Sequence, residues 1–204
     1  MTKGRKLFSI ILLFSTINNL SYISNIYANS TSSLRKYGDI GQFINPMIAL
    51  GIASQERGAI HFLRVYTTGM IPVHSLKFLG AVTRANIAKR PVTNPDKKEK
   101  FDGFPSGHTA SAFSAASYIR VFSDDYKILS IPLYVNAAVV GYSRVKAKRH
   151  TWAQVIAGAV LTEINSEINK RLNWNKDYKS TEVIWGMDKN TGKSRYGLGI
   201  KFKL

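Results

Sequence analysis

The chain of 204 residues contains no cysteine, which excludes disulfide bonds and thiolate metal sites. Acidic residues are also scarce, because 12 Asp and Glu stand against 29 Lys and Arg, for a formal net charge of +17. This balance favours phosphorylated substrates, acidic lipid headgroups or nucleic acid as partners, and charge alone does not choose among them. The length leaves room for one domain of ordinary size.

Long apolar runs are absent as well. Beyond the N-terminal segment, the most apolar stretches are residues 40–55 and 128–143, and both contain proline. Each is shorter than the roughly 20 residues that a membrane span requires. We therefore expect two core helices of a globular bundle, and a mature domain that is soluble and rests on an anionic membrane surface.

Residues 1–28 have the features of a secretory signal peptide. Three basic residues in the first six positions precede an apolar run at 7–14, and an Ile-Tyr-Ala sequence ends at Ala28. No charge lies between Lys6 and Arg35, so an uncleaved anchor stays open as an alternative. We predict export to the periplasm, with or without membrane association.

Helical periodicity dominates the rest of the chain, and short connections between the periodic stretches favour a helical bundle. We expect Pro72 to break or kink the second helix. A polar, charged stretch at 92–102 predicts an exposed loop. The predicted helices cover residues 40–55, 59–88, 106–122, 126–142 and 151–172.

The C-terminal segment follows a different pattern. Apolar residues alternate over 183–187 and again over 196–204, around a stretch with turn-forming Asn and Gly, which predicts a β-hairpin. Two strands alone are marginal in water, so the apolar face should lie on the bundle, another chain or a membrane. The predicted division is a signal peptide at 1–28, a helical domain at 29–180 and a hairpin-like tail at 181–204.

Residues 105–109 read Pro-Ser-Gly-His-Thr and precede an alanine-rich helix. Ser106 is suited to cap that helix, whose unpaired first-turn N–H groups would bind an anion such as phosphate. His108 lies in the same turn and has an intrinsic pKa near neutrality, so it could pass a proton to a bound oxyanion. Taken alone, these residues are better explained as a capped core helix with an incidental histidine.

Two further segments change that interpretation. Arg90 and Pro91 lie upstream, and a Ser143–Arg144 pair followed by His150 lies downstream. Two guanidinium groups around one tetrahedral anion are a recognised means of binding phosphate. Singly, each arginine would be explained by the helix dipole or by solvent.

The three segments together resemble the signature of the type 2 phosphatidic acid phosphatase (PAP2) superfamily, which includes bacterial acid phosphatases and vanadium haloperoxidases. The family pattern reads K-x6-R-P, P-S-G-H and S-R-x5-H-x3-D, and order and spacing match over residues 83–154. Two residue types depart from it, since Thr83 stands at the lysine and Gln154 at the aspartate. The resemblance implies an all-α helical bundle.

The resemblance also implies roles for individual residues. His150 corresponds to the nucleophile that attacks phosphorus and His108 to the acid that protonates the leaving group. Gln154 can accept a hydrogen bond from the His150 ring but supplies no charge, and a lost orienting carboxylate can reduce a rate by up to about 10⁴. The implied phosphate ligands are Arg90, Ser106, Gly107 and Arg144.

The missing lysine has two candidate substitutes. Arg84 is adjacent to position 83 but points roughly 100° away from it on a helix. Lys89 precedes Arg90 directly. The sequence does not decide between them.

The predicted function is metal-independent hydrolysis of a phosphomonoester through a phosphohistidine intermediate. A lipid or lipid-like phosphate is the first expectation for the substrate and a soluble phosphomonoester the second. We expect no cofactor, although vanadate could occupy the site as a phosphate mimic, and no nucleic-acid partner; the oligomeric state stays open. Two alternatives remain, a non-catalytic phosphate or headgroup binder and, ranked last, a vanadate-dependent oxidase.

Overall fold

The computed structural model describes residues 31–91, 98–172, 178–187 and 194–202. The predicted signal peptide lies outside these residues. Two short 3₁₀ turns, Asn86–Ala88 and Lys127–Leu129, precede Arg90 and the helix that begins at Ser130, respectively. The helices are α1 (Thr31–Glu56), α2 (Ala59–Thr83), α3 (Gly107–Phe122), α4 (Ser130–Lys146) and α5 (Trp152–Arg171). The all-α class predicted from the periodicity is confirmed.

Helix α3 is the centre of the bundle and packs against each of the other four helices. Its buried face is rich in alanine and serine, and small side chains let neighbouring helices approach closely. At Gly158 of α5, a Cβ atom would lie 2.6 Å from the carbonyl oxygen of Ser106. This contact brings the N-terminal end of α3 directly against α5.

Helix α2 differs from the prediction at two points. It continues through Pro72, so the break that was one of the two expected effects of this proline does not occur. It then ends at Thr83 rather than at residue 88, because Arg84 adopts a left-handed conformation with φ 53°. The chain is thereby redirected into the 3₁₀ turn that leads to Arg90.

The C-terminal segment contains the paired strands predicted for it. β1 (Tyr178–Met187) and β2 (Ser194–Phe202) are antiparallel, with Val183 opposite Leu198. The connecting residues 188–193 lie outside the described part of the chain. The division into a bundle and a tail remains a prediction.

One segment of the bundle has the length and composition of a membrane-spanning helix. The segment Lys127–Lys146 is long and apolar enough to cross a bilayer, which corrects the expectation that no such stretch follows the N-terminal segment. Half of it is buried in the bundle, and core helices of soluble proteins share this length and composition. This helix alone therefore does not show that the protein spans a membrane.

Large apolar side chains are also exposed on all four outer helices. On α5 they recur every fourth residue and form one stripe along the helix. Monomeric soluble proteins rarely expose apolar surface on this scale. The set comprises Ile40, Phe43 and Met47 of α1; Ile60, Leu63, Ile71, Phe78, Leu79 and Val82 of α2; Ile131 and Val135 of α4; and Trp152, Ile156, Val160, Ile164 and Ile168 of α5. We call these residues the apolar perimeter.

Candidate active site

The Pro-Ser-Gly-His turn lies at the N-terminal end of α3, where the sequence predicted a helix start. Ser106 is the N-cap residue and is fully buried, but its side chain makes no capping hydrogen bond. The hydroxyl of Thr109 instead donates to Ser106 Oγ at 3.0 Å. The backbone N–H of Ser106 donates to the carbonyl oxygen of Gln154 at 2.8 Å, which ties the turn to α5. The first-turn N–H groups of α3, including that of Gly107, lack acceptors within the helix.

His150 lies in the connection between α4 and α5 and is 3% exposed. Its backbone N–H donates to the carbonyl of Arg144 at 3.3 Å, so the turn brings the two residues together. Its Nδ1 lies 2.9 Å from the carbonyl oxygen of Gly103 and 3.2 Å from Oε1 of Gln154. Both neighbours are pure acceptors, so Nδ1 carries the hydrogen and Nε2 keeps its lone pair in the neutral ring.

The surroundings of His150 favour that neutral form. Burial lowers its pKa to about 3, and the positive charges of Lys77 and Arg90 act in the same direction. Hydrogen bonds to Gln154 and Gly103 oppose the shift without reversing it. The unprotonated Nε2 is therefore available at neutral pH.

Gln154 is 1% exposed and uses both ends of its amide. Oε1 accepts from the His150 ring and, at 3.2 Å, from the backbone N–H of Thr151, as part of the capping box that starts α5. Nε2 donates to the carbonyl oxygens of Ile87 and Lys89, each at 2.9 Å. Two carbonyl acceptors fix the orientation of the amide, so Oε1 must face His150.

Arg90 is oriented by an acidic partner that the sequence analysis did not identify. Its Nε and one terminal nitrogen donate to the two carboxylate oxygens of Asp102 at 2.6 and 2.9 Å. The guanidinium holds the pKa of Asp102 below its usual range, so the carboxylate is ionised at neutral pH. The pair is accessible to solvent, since 48% of the Asp102 side chain is exposed.

Arg144 is held by α1, where Asp39 is a second acidic partner that the sequence analysis missed. The guanidinium is almost fully buried and donates to Asp39 Oδ1 and to the carbonyl of Arg35, each at 2.5 Å. It crosses α1 at Gly38, where any side chain would collide with it. His108 Nε2 lies 3.3 Å from the same Asp39 oxygen. Asp39 thus links His108 to Arg144.

Lys77 is a further cation in the cluster, and the sequence analysis missed it. Its Nζ donates to the backbone carbonyl of Asp102 at 2.8 Å, and its Cε lies 3.3 Å from where a Cβ on Gly107 would be. Its charge also acts on both His108 and His150. A charged residue is unusual in α2, which is mostly apolar, and this was the signal available in the sequence.

The proposed lysine substitutes make their contacts elsewhere. The guanidinium of Arg84 lies 4.9 Å from the centre of the Phe101 ring. The ammonium of Lys89 forms an ion pair with Glu99. Thr83 is exposed and donates to the carbonyl of Leu79 at 2.8 Å. The structure therefore brings Lys77, rather than Arg84 or Lys89, to the predicted phosphate ligands.

Taken together, the predicted groups form two connected halves at one end of the bundle. One half contains His150, Gln154, Arg90 and Lys77, and the other contains His108 and Arg144. The two halves are connected through Lys77, whose Cε lies 3.3 Å from where a Cβ on Gly107, the neighbour of His108, would be. In the described part of the chain, no group of three His, Cys, Asp or Glu side chains could hold a metal ion. The arrangement suits an oxyanion, with one unprotonated imidazole nitrogen beside several cations.

This combination of an all-α bundle with the ordered motif residues at one end defines a class of protein. The PAP2 superfamily model matches residues 58–166, which is more than half of the chain. The chain belongs to the PAP2 superfamily.

Comparison with individual proteins adds two relatives. The chain is 29% identical over 130 residues to the lipid A 4'-phosphatase of Helicobacter pylori (strain J99); the match covers 59% of this chain and 56% of that protein, so the chain spans little more than half of it. A solved structure, the transmembrane PAP2 type phosphatidylglycerolphosphate phosphatase of Bacillus subtilis, is similar with a TM-score of 0.51 and 20% identity. That similarity covers 82% of this chain and 92% of the other, and it supports the fold alone.

Proposed function

We propose that the protein hydrolyses the phosphomonoester of a membrane lipid, with His150 as the nucleophile. The observation that carries the proposal is the buried His150 ring, whose Nδ1 is bonded to two acceptors while its Nε2 is unprotonated beside Arg90 and Lys77. The name of the Helicobacter pylori relative, a lipid A 4'-phosphatase, supports a lipid substrate.

The mechanism has two steps. Nε2 of His150 attacks phosphorus in line, the bond from phosphorus to the ester oxygen breaks, and His108 gives a proton to the leaving alkoxide. Burial lowers the pKa of His108 to about 4 in the free protein, and the negative charge of the bound phosphate raises it again, which favours the imidazolium form that this step requires. Water then attacks the phosphohistidine, His108 takes up one of its protons, and inorganic phosphate leaves with His150 restored. The charge on the phosphoryl oxygens would be stabilised by Arg90, Arg144, Lys77, the Ser106 hydroxyl and the Gly107 N–H.

The resting contacts of the arginines fit this scheme. Asp102 and Asp39 each hold one arginine in place, and each has a half-exposed side chain. An incoming phosphate can share the guanidinium N–H groups or displace the carboxylates towards solvent. The arginines are therefore kept in position before substrate binds.

Hydrolysis by the purified protein tests the proposal. We expect it to release inorganic phosphate from a lipid phosphomonoester in neutral detergent micelles. If the protein binds phosphate but does not hydrolyse the lipid, the result would instead support a non-catalytic phosphate or headgroup binder. The departures from the family pattern at Gln154 and Thr83 favour that alternative. Halide oxidation in the presence of vanadate and peroxide would support the oxidase.

The apolar perimeter supports a location within the bilayer, with acyl chains covering the four outer helices. Exposed basic residues lie in the segments that adjoin the candidate site, where they would face anionic headgroups. They include Arg35, Lys36, Arg84, Lys98, Lys100, Lys146, Lys148 and Arg149. This proposal replaces the soluble domain resting on the membrane surface that was expected from the sequence.

We therefore expect the protein to stay with membranes through washes in high salt and alkaline carbonate, and to be released by detergent. Buried apolar contact is insensitive to salt, whereas exposed charge interactions are screened within about 10 Å at 0.1 M salt. Release by salt alone would show peripheral attachment. A detergent-free dimer in aqueous solution would show that a second copy covers the perimeter.

Lys77 provides a separate test of the phosphate ligands. We expect Lys77→Met, which keeps an apolar stem of similar length, to lower kcat/KM by about tenfold, because one charge-assisted hydrogen bond to the phosphoryl group is lost. Lys77→Arg should recover part of that loss. Lys127→Met, at the opposite end of the bundle, is the matched control. Equal activity of the two methionine variants would show that Lys77 does not bind the phosphoryl group.

A further inference from the structure

An open groove of about 470 Å³ lies between the C-terminal end of α2 and residues 98–102. Three cationic side chains, Arg84, Lys98 and Lys100, line it, and none of them has an ion-pair partner among the described residues. The guanidinium of Arg84 stacks on Phe101, which also lines the groove. That contact restricts the arginine without neutralising it.

The two acidic residues of the groove are already paired. Glu99 forms an ion pair with Lys89, and Asp102 is bound by both nitrogens of the Arg90 fork. Neither Lys89 nor Arg90 lines the groove. Cations outside the groove therefore compensate its two carboxylates, and Arg84, Lys98 and Lys100 keep their positive charge uncompensated by any described acidic residue.

The groove and the candidate phosphate site share one wall. The Asp102 carboxylate holds Arg90, and its backbone carbonyl accepts the hydrogen bond from Lys77. Asp102 therefore contacts Arg90 and Lys77 on the side of the candidate phosphate site and also lines the cationic groove. A headgroup with two anionic groups, joined through a glycerol or a sugar, could reach both places.

We propose that this groove binds a second anionic group of the lipid substrate, a phosphate or phosphodiester of the same headgroup. The proposal rests on the proposed function, because it assigns the scissile phosphate to the His150 site. Phosphate oxygens match the chemistry of one guanidinium and two ammonium groups. The groove would then select lipids with two anionic groups over lipids with one.

Two lipids separate this selection from general attraction to an anionic surface. Diacylglycerol phosphate carries one phosphate, whereas phosphatidylglycerol phosphate carries a terminal monoester and a phosphodiester. Both are presented in neutral detergent micelles, so that no other anionic lipid is present. We expect Lys98→Ala/Lys100→Ala to raise KM for the two-phosphate lipid about fivefold, to leave its kcat unchanged, and to leave both constants for the one-phosphate lipid unchanged.

Lys127→Ala/Lys170→Ala removes the same net charge from exposed positions at the other end of the bundle and should alter neither substrate. An equal rise in KM for both lipids, or no rise for either, would overturn the second site. Equilibrium binding of the two lipids to a His150→Ala protein repeats the comparison without turnover. If the unaltered protein hydrolyses neither lipid, the proposed function fails, and this binding measurement still decides whether the groove distinguishes the lipids.

Discussion

His150→Ala is expected to reduce phosphate release by at least about 10⁴-fold, because no other described side chain is placed to form the phosphoryl intermediate. Binding of vanadate or inorganic phosphate should persist, since Arg90 and Lys77 are bound through Asp102 rather than through His150. The variant separates the nucleophile from the phosphate ligands. Activity is measured as phosphate released from a lipid phosphomonoester, and binding by calorimetry.

A histidine on the surface provides the control. His74 lies exposed on α2, and His74→Ala should leave both activity and binding unchanged. The unaltered protein, quenched in alkali during turnover, should contain a phosphohistidine that His150→Ala lacks. Turnover by His150→Ala within tenfold of the unaltered protein would reject His150 as the nucleophile.

Gln154→Glu is expected to impair both stability and activity, although glutamate is closer to the aspartate of the family pattern. The Nε2 group of Gln154 donates to the carbonyls of Ile87 and Lys89, and a carboxylate would face these two oxygens with no hydrogen to donate. Each of these part-buried carbonyls costs up to about 1–3 kcal/mol when it is left without a donor. We expect the free energy of unfolding to fall by about 2–4 kcal/mol.

Activity should fall for a geometric reason. The carbonyls that Gln154 holds lie immediately before Arg90, and a displacement of about 1 Å in a phosphate ligand can cost about 10² in rate. Gln154→Asp should act in the same direction, because its shorter side chain cannot reach both carbonyls. The two hydrogen bonds that the Gln154 amide donates therefore favour slower turnover by either variant.

Gln55→Glu provides the matched control for this change. Gln55 lies on α1 at the far end of the bundle, and its amide oxygen accepts a hydrogen bond from Tyr126 that a carboxylate preserves. We expect this variant to keep its activity. Denaturant unfolding and kcat are measured for both proteins, and faster turnover by Gln154→Asp would show that glutamine merely weakens a family-type site.

The motif spacing was sufficient to identify the family and to select the residues that gather at one end of the bundle. The spacing of Ser143–Arg144 and His150 reflects one local turn, in which the His150 N–H bonds to the Arg144 carbonyl. Local relations of this kind depend on few residues and can be read along the chain. Helix type was also predictable, whereas the end of α2 was not, because the left-handed conformation of Arg84 has no distinct signal in the sequence.

The partners of the site residues depend on contacts between segments distant in sequence. Asp39 reaches Arg144 across 105 positions, and Gln154 reaches Ile87 across 67. Lys77 lies six residues before the family lysine position and approaches the site only because α2 ends early and residues 98–103 return against it. Such contacts are set by how the helices pack, which motif spacing does not encode.

The sequence by itself determined the family and the helical class, and it singled out His108 and His150 as candidate site residues. These inferences depend on residue type and local spacing. The tertiary structure alone decided that Gln154 fixes the His150 ring and the Arg90 segment at once, because one amide has both an acceptor and a donor end. It also decided which cation lies beside the predicted phosphate ligands, because helix packing places Lys77 there while Arg84 and Lys89 contact Phe101 and Glu99 instead.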